Sequence, residues 1–128
     1  MHPPKISPAE WQVMTLLWEK SPRTAQEVID LLATHTAWHP KTIRTLLARL
    51  VEKGAVRTIK QGRLLAYLPC VDESDSIHEE SQSFLDRVFG GGLQPMLAHF
   101  LEREAVSDEE IAALRQLLDG KTKGSTRS

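Results

Sequence analysis

The sequence predicts a mainly α-helical chain with one small β-hairpin. Three observations point there. Apolar residues recur at spacings of three and four through successive segments. Three of those segments open with a capping box, at Ser7-Pro8-Ala9-Glu10, Thr24-Ala25-Gln26-Glu27 and Ser107-Asp108-Glu109-Glu110. Only between Val56 and Leu68 does the pattern turn to β-type residues.

Taken in order, the first helix is expected from about Pro8 to Lys20. Proline suits its first turn, and Trp11, Val13, Met14, Leu16, Leu17 and Trp18 follow at mostly helical spacing. It should stop near Ser21-Pro22, because the residue before proline disfavours helix. The second helix is short, with Val28, Ile29, Leu31 and Leu32 making one side apolar. After a brief link from His35 to His39 comes the stretch Trp38 to Gly54, which organises the rest. Its helix is expected over residues 40–53, with Pro40 in the first turn and Gly54 just past the end. Ile43, Leu46, Leu47, Leu50 and Val51 form its apolar stripe. Lys41, Thr42, Arg44, Thr45 and Arg49 fall on the polar side, with Ala48 small among them.

Two helices joined by a short turn, the second basic on its outer face, form a helix-turn-helix. A hairpin is expected next, roughly Val56–Lys60 and Leu64–Leu68, with Gly62 in the turn and Pro69 closing it. Arg57, Lys60 and Arg63 lie on or near its tip. Three helices followed by a basic hairpin is the winged-helix layout.

That layout gives the positive groups work to do. A basic, hydroxylated helix face can enter a major groove, where Arg and Lys reach guanine edges. A basic hairpin can rest on the phosphate backbone beside it. The candidate DNA-binding residues are therefore Lys41, Thr42, Arg44, Thr45 and Arg49 on the helix, with Lys60 and Arg63 on the hairpin. Net charge supports this. The formal value of −1 hides a division: residues 1–70 hold ten Lys/Arg against five Asp/Glu, and residues 71–128 hold six against twelve. A front half of +5 has the sign a phosphate backbone attracts, while a back half of −6 should not touch phosphate. The rival is a winged helix that binds only proteins. It has no need of positive charge on both helix and hairpin.

The back half reads as three helices, about Ser74 to Phe89, Leu93 to Glu104, and a last one that stops at Gly120. Gly90-Gly91-Gly92 makes a sharp break between the first two. A unit this small rarely buries enough surface to stand alone. Yet it carries Phe84, Leu85, Val88, Leu97, Phe100, Leu101, Leu114 and Leu118. The economical solution is a second copy of the chain, packed through these residues, with two recognition helices presented to a palindromic site. The expected organisation is a DNA-binding domain over residues 6–70, a helical dimerisation region over 71–120 and a disordered tail over 121–128.

Other chemistry finds little support. No apolar run approaches the ~20 residues that span a bilayer. The start, MHPPKISP, lacks the apolar core of a signal peptide. The lone cysteine, Cys70, fits a reducing cytoplasm. The five histidines, His2, His35, His39, His78 and His99, show no metal-site spacing, and His35 and His39 read as loop and capping positions. No nucleophile sits in a catalytic pattern. An enzyme is not expected, nor a metal, nor any other cofactor.

The segments WHPKTIRTLLARLVEKGAV, GRLLAYLP, DESD, SFLDRVFGG and MLAHFLE, in that order, resemble the penicillinase-repressor (BlaI/MecI) family, with CopY-type copper-responsive repressors as relatives. The resemblance runs from about Ile6 to Leu118. It implies an N-terminal winged helix, a C-terminal dimerisation region and repression by occupying a palindromic operator. For the antibiotic-resistance members it also implies a membrane sensor-protease signal that leads to cutting at an Asn-Phe bond. The matching pair here is His99-Phe100, which keeps the phenylalanine and replaces the asparagine. The paired C-terminal cysteines of the copper-responsive relatives have no counterpart after Cys70.

Overall fold

The computed structural model describes residues 3–125, with side chains as far as residue 122. The elements run α1 Pro8–Glu19, β1 Arg23–Thr24, α2 Ala25–Leu32, α3 Pro40–Glu52, β2 Val56–Gln61, β3 Leu64–Pro69, α4 Glu73–Phe89, α5 Leu93–Arg103 and α6 Asp108–Ser125. The chain divides into two compact units, Met1–Ser83 and Phe84–Ser128.

In the first unit, local chemistry starts each helix where the sequence places it. The Ser7 hydroxyl accepts the Glu10 N–H at 3.2 Å, and the Glu10 carboxylate accepts the Ser7 N–H at 2.8 Å. Thr24 and Glu27 repeat the exchange at the head of α2 with the same two distances. Each pair satisfies two backbone donors that a helix start leaves orphaned. The apolar stripes then meet. Val13, Met14, Leu16 and Leu17 of α1, Val28, Ile29 and Leu32 of α2, and Ile43, Leu46, Leu47 and Leu50 of α3 form one core with Ile6, Ala55 and Val56. Trp18 lies half-buried at its margin and donates its indole N–H to the Val71 carbonyl at 2.9 Å.

The end of α3 is a Schellman motif. Gly54 takes a left-handed φ of 81°, its N–H bonds to Val51 O at 3.0 Å, and the Ala55 N–H bonds to Leu50 O at 3.0 Å. Only glycine adopts that conformation without cost, so the chain turns from α3 straight into β2.

The sheet is antiparallel, in the order β1-β3-β2. The hairpin registers from Val56 opposite Pro69 to Gln61 opposite Leu64, so each strand runs one residue beyond its expected end. The loop is Gly62-Arg63 alone. Gly62 has φ 65° and, among the described residues, no residue other than glycine takes a positive φ, so Arg63 does not, the pattern of a type II′ turn. The sheet also corrects the expectation of an isolated hairpin. Arg23 and Thr24 pair with Tyr67 and Ala66 along the free edge of β3. Two residues carry no periodicity, so nothing in the sequence marks them as a strand.

The second unit comprises the end of α4 from Phe84, then α5 and α6. Gly90 and Gly91 have φ 65° and 95°, and the Gly91 N–H closes the end of α4 on Leu85 O at 2.9 Å. The Phe84 and Phe89 rings stand edge to face at 5.8 Å, and Phe89 lies 6.1 Å from the ring of His99 on α5. The Ser107 hydroxyl accepts the Glu110 N–H at 3.1 Å at the head of α6.

Two expectations need correcting. The division between units falls inside α4, not at residue 70, because the first half of α4 belongs with the winged helix: Ser76 is buried there. The last helix continues through Gly120 to Ser125, so no disordered tail begins at Lys121. An interior glycine costs a helix only about 1 kcal/mol, and the Thr122 hydroxyl bonds to Leu118 O at 3.1 Å across it. Residues 126–128 of the expected tail and His2 lie outside the described residues.

Candidate nucleic-acid interface

The site is built on α3. Four buried side chains, Ile43, Leu46, Leu47 and Leu50, hold one face of this helix in the core. With 3.6 residues per turn, that fixes which side chains face out. Lys41, Thr42, Arg44, Thr45, Ala48 and Arg49 are all exposed. Among the described residues none of Lys41, Arg44 and Arg49 forms an ion pair, so three unneutralised cations stand on one surface. The Thr45 hydroxyl donates to Lys41 O at 3.0 Å, which leaves its oxygen lone pairs free to accept.

The head of α3 is capped by a histidine. His39 Nδ1 accepts the Lys41 N–H at 3.0 Å. The capping role expected of His39 therefore takes a definite form, in which Nδ1 is the unprotonated nitrogen. Proline follows at the first helical position, as the sequence indicates.

The hairpin leaves α3 directly and packs on it. Arg57, Lys60 and Arg63 are exposed along and beyond it. Lys60 stands opposite Leu65 in the register and Arg63 occupies the second turn position. All seven predicted DNA-binding residues are thus on the surface of one unit, five on α3 and two at the wing.

Not every cation of the basic half is available. Arg23 donates its Nε–H to Leu16 O at 3.0 Å and lies 3.6 Å from the Glu19 carboxylate, so it braces the turn after α1. Lys53 is bonded to Glu10 and to Lys5 O. Charge counting alone could not separate these structural cations from the outward ones. The sequence also gives no warning that Leu64 and Leu65 beside the turn are 61% and 51% exposed.

The predicted dimerisation residues fall in or at the start of the second unit, and none is buried within one chain. Phe84, Val88, Phe100, Leu101 and Leu118 are exposed, and Leu85, Leu97 and Leu114 are half-buried. The His99 and Phe100 side chains are both exposed, with ring centroids 6.0 Å apart. Cys70 is an exposed free thiol. Among the described residues no helix is long and apolar enough to cross a membrane.

Comparison with known proteins places this architecture. The penicillinase repressor family model matches residues 6–120. A penicillinase repressor of Bacillus licheniformis is 46% identical over 116 residues, covering 91% of each chain. The methicillin resistance regulatory protein MecI of Staphylococcus aureus is 38% identical over 117 residues, covering 91% of this chain and 95% of its own. Among solved structures, the DNA-binding domain of the repressor BlaI aligns with TM-score 0.52 at 46% identity, over 59% of this chain and 93% of its own. Monomeric BlaI of Bacillus licheniformis bound to the blaP half-operator aligns with the same score over 57% of this chain. With a family match that spans nearly its whole length, the chain belongs to the penicillinase repressor family, and so among regulators of transcription rather than enzymes.

Proposed function

We propose that the chain represses transcription as a homodimer seated on a palindromic operator. Each protomer lays α3 in a major groove and rests its hairpin on the adjoining backbone. Arg44 and Arg49 read base edges, Lys41, Thr42 and Thr45 fix the helix against bases and phosphates, and Lys60 and Arg63 neutralise phosphates. The observation that carries this reading is the outer face of α3. Its cations are unpaired among the described residues, on a helix whose opposite side is locked into the core. The relative solved with its half-operator supports the same assignment.

The first unit supplies the reading head and the second, from Phe84 onward, the dimer contacts, in which Phe84, Leu85, Val88, Leu97, Phe100, Leu101, Leu114 and Leu118 are covered by the second copy. A face with this many unburied apolar groups marks an association surface. The regulated genes are of β-lactamase type or related stress genes, and the protein works in the cytoplasm. Release follows either proteolysis prompted by a membrane sensor-protease, with the His99-Phe100 bond of α5, whose side chains are exposed, as the candidate site of cutting, or another signal.

Selection of bound duplexes from a random pool tests the reading. It should recover two inverted half-sites separated by about one or two helical turns. Recovery of single, unpaired sites, or of no sequence at all, would overturn it.

A further inference from the structure

A cavity of about 90 Å³ lies in the first unit, between the residues before α1, α1 itself and the first half of α4. Its two walls differ. One is apolar, with Pro4, Ile6 and Trp11 in it. The other is a face of α4, and that face is polar. Ser76, Glu79, Glu80 and Ser83 stand at positions i, i+3, i+4 and i+7, on one side of the helix. A helix packed only to cover a core turns an apolar stripe inward. This one brings carboxylates and hydroxyls to the margin of the core instead.

Ser76 sets the cavity apart from a packing gap. It is 3% exposed, and its hydroxyl has no hydrogen-bond partner among the described residues. Other helical hydroxyls here donate to the carbonyl one turn back, as Thr15 does to Trp11 O at 2.9 Å and Thr45 to Lys41 O at 3.0 Å. The Asp72 carbonyl accepts the Ser76 N–H at 3.0 Å, and the hydroxyl stays unspent. A buried polar group without a partner opposes folding. Packing therefore gives no reason for a serine at this position, whereas a bound molecule does.

We infer that this cavity binds a compact organic ammonium ion. The Ser76 oxygen accepts one of its N–H groups, and the Glu80 carboxylate, beside Glu79, balances its charge. Trp11 offers a ring face, which attracts ammonium groups, and with Pro4 and Ile6 it covers the apolar body. Sign and size choose the class. Two carboxylates against the one ammonium of Lys5 leave the lining negative, which turns an anion away. A divalent metal wants about six oxygen ligands, and no three His, Cys, Asp or Glu side chains among the described residues are grouped to hold one. A single water needs about 10–15 Å³ of such space, so the cavity has room for a molecule of a few heavy atoms but not for a peptide.

The test is a titration of the full-length, isotope-labelled protein with n-butylammonium chloride at constant ionic strength, followed by NMR, which reads weak binding. The controls are n-butanol and sodium butyrate, which keep the apolar chain and remove or reverse the charge. The Trp11 indole N–H signal and the Ser76 and Glu80 amide signals should shift and saturate with butylammonium, at an affinity about tenfold above either control. Ser76→Ala and Glu80→Gln should each weaken it about tenfold, the scale of a hydrogen bond to a charged group. Ser76→Ala should melt no lower than the parent, because its hydroxyl has no partner to lose. Shifts that never saturate would overturn the inference. So would equal affinity for butanol, which would make the cavity merely apolar, or tighter binding of butyrate, which would make Lys5 its governing charge. Parental affinity in Ser76→Ala would overturn it too, as would a lower melting temperature in that variant, which would mean that the hydroxyl is already satisfied. Butylammonium binding that weakens as protein concentration rises would hand the cavity to a lysine of a second copy instead.

Discussion

Lys53, the C-cap residue of α3, gives its ammonium to the carboxylate of Glu10 in the first turn of α1, and to the Lys5 carbonyl at 2.8 Å. Glu10 is 2% exposed and also closes the capping box of its own helix. One buried carboxylate thereby fastens the start of α1 to the end of the helix proposed to read DNA.

This junction makes stability depend on acid. Burial pushes the Glu10 carboxyl up, but the Lys53 hydrogen bond, the Ser7 N–H and hydroxyl, and the Lys53 charge together hold it below the ordinary value of 4.5. A carboxyl depressed on folding contributes stability that is fully present above pH 4.5 and lost as pH falls through the folded value. Melting temperature followed from pH 7 downward should decline for the parent below about 4.5, and Glu10→Gln should flatten that decline. Glu27, held low chiefly by the Thr24 N–H, leaves a residual slope in both proteins. Identical profiles would show that Glu10 does not titrate as described.

Removing the cation should be worse than removing the pair. Lys53→Ala leaves a buried carboxylate unpaired, at a cost of about 3 kcal/mol, the low end for breaking such a pair because the lysine is partly exposed. Adding Glu10→Gln should restore at least part of that loss. Urea unfolding of the two singles and the double measures this, and simple additivity would contradict it.

His39 supplies the only side-chain acceptor shown at the head of α3 among the described residues. His39→Ala should cost about 1 kcal/mol of stability, and His39→Ser should recover most of it. Equal melting temperatures for alanine and serine would remove the cap from the account.

The helix and the wing should fail differently. Arg44→Ala or Arg49→Ala should cost about 1–3 kcal/mol on the selected operator and relax preference at particular base pairs. Lys60→Ala or Arg63→Ala should weaken binding to all duplexes alike and lower the salt slope by about one. Both effects are read from binding titrations on matched and mismatched duplexes. A base-specific loss from a wing lysine, or a uniform loss from Arg44, would exchange the assigned roles.

Phe100→Asp should abolish the dimer, because it would bury an unpaired charge at the proposed interface. In the single chain Phe100 is exposed, so the protomer should stay folded. An intact dimer on sedimentation would exclude this face.

What the sequence revealed was local. The capping boxes at Ser7 and Thr24, the Pro40 and Gly54 boundaries and the outward set on α3 follow from spacings of a few residues, and they stand where the spacings put them. What it hid was long-range or too short to repeat. Glu10 and Lys53 are 43 positions apart, so their bond leaves no trace in a pattern. β1 is two residues long and exists only because β3 has a free edge. Gly120 looked like a stop, but a glycine ends a helix only where the chain turns left-handed, and Gly120 does not. The apolar tip at Leu64 and Leu65 read as ordinary strand, because alternation cannot say where a strand outruns its core.

The central claim is that the cations of α3 and the wing exist to neutralise phosphate. Its most direct test is the affinity of the full-length protein for the selected duplex across a series of salt concentrations. The account predicts a steep linear fall of log K with log salt, of about 0.9 for each phosphate neutralised. Affinity indifferent to salt, or no affinity for duplex DNA at low salt, would contradict it.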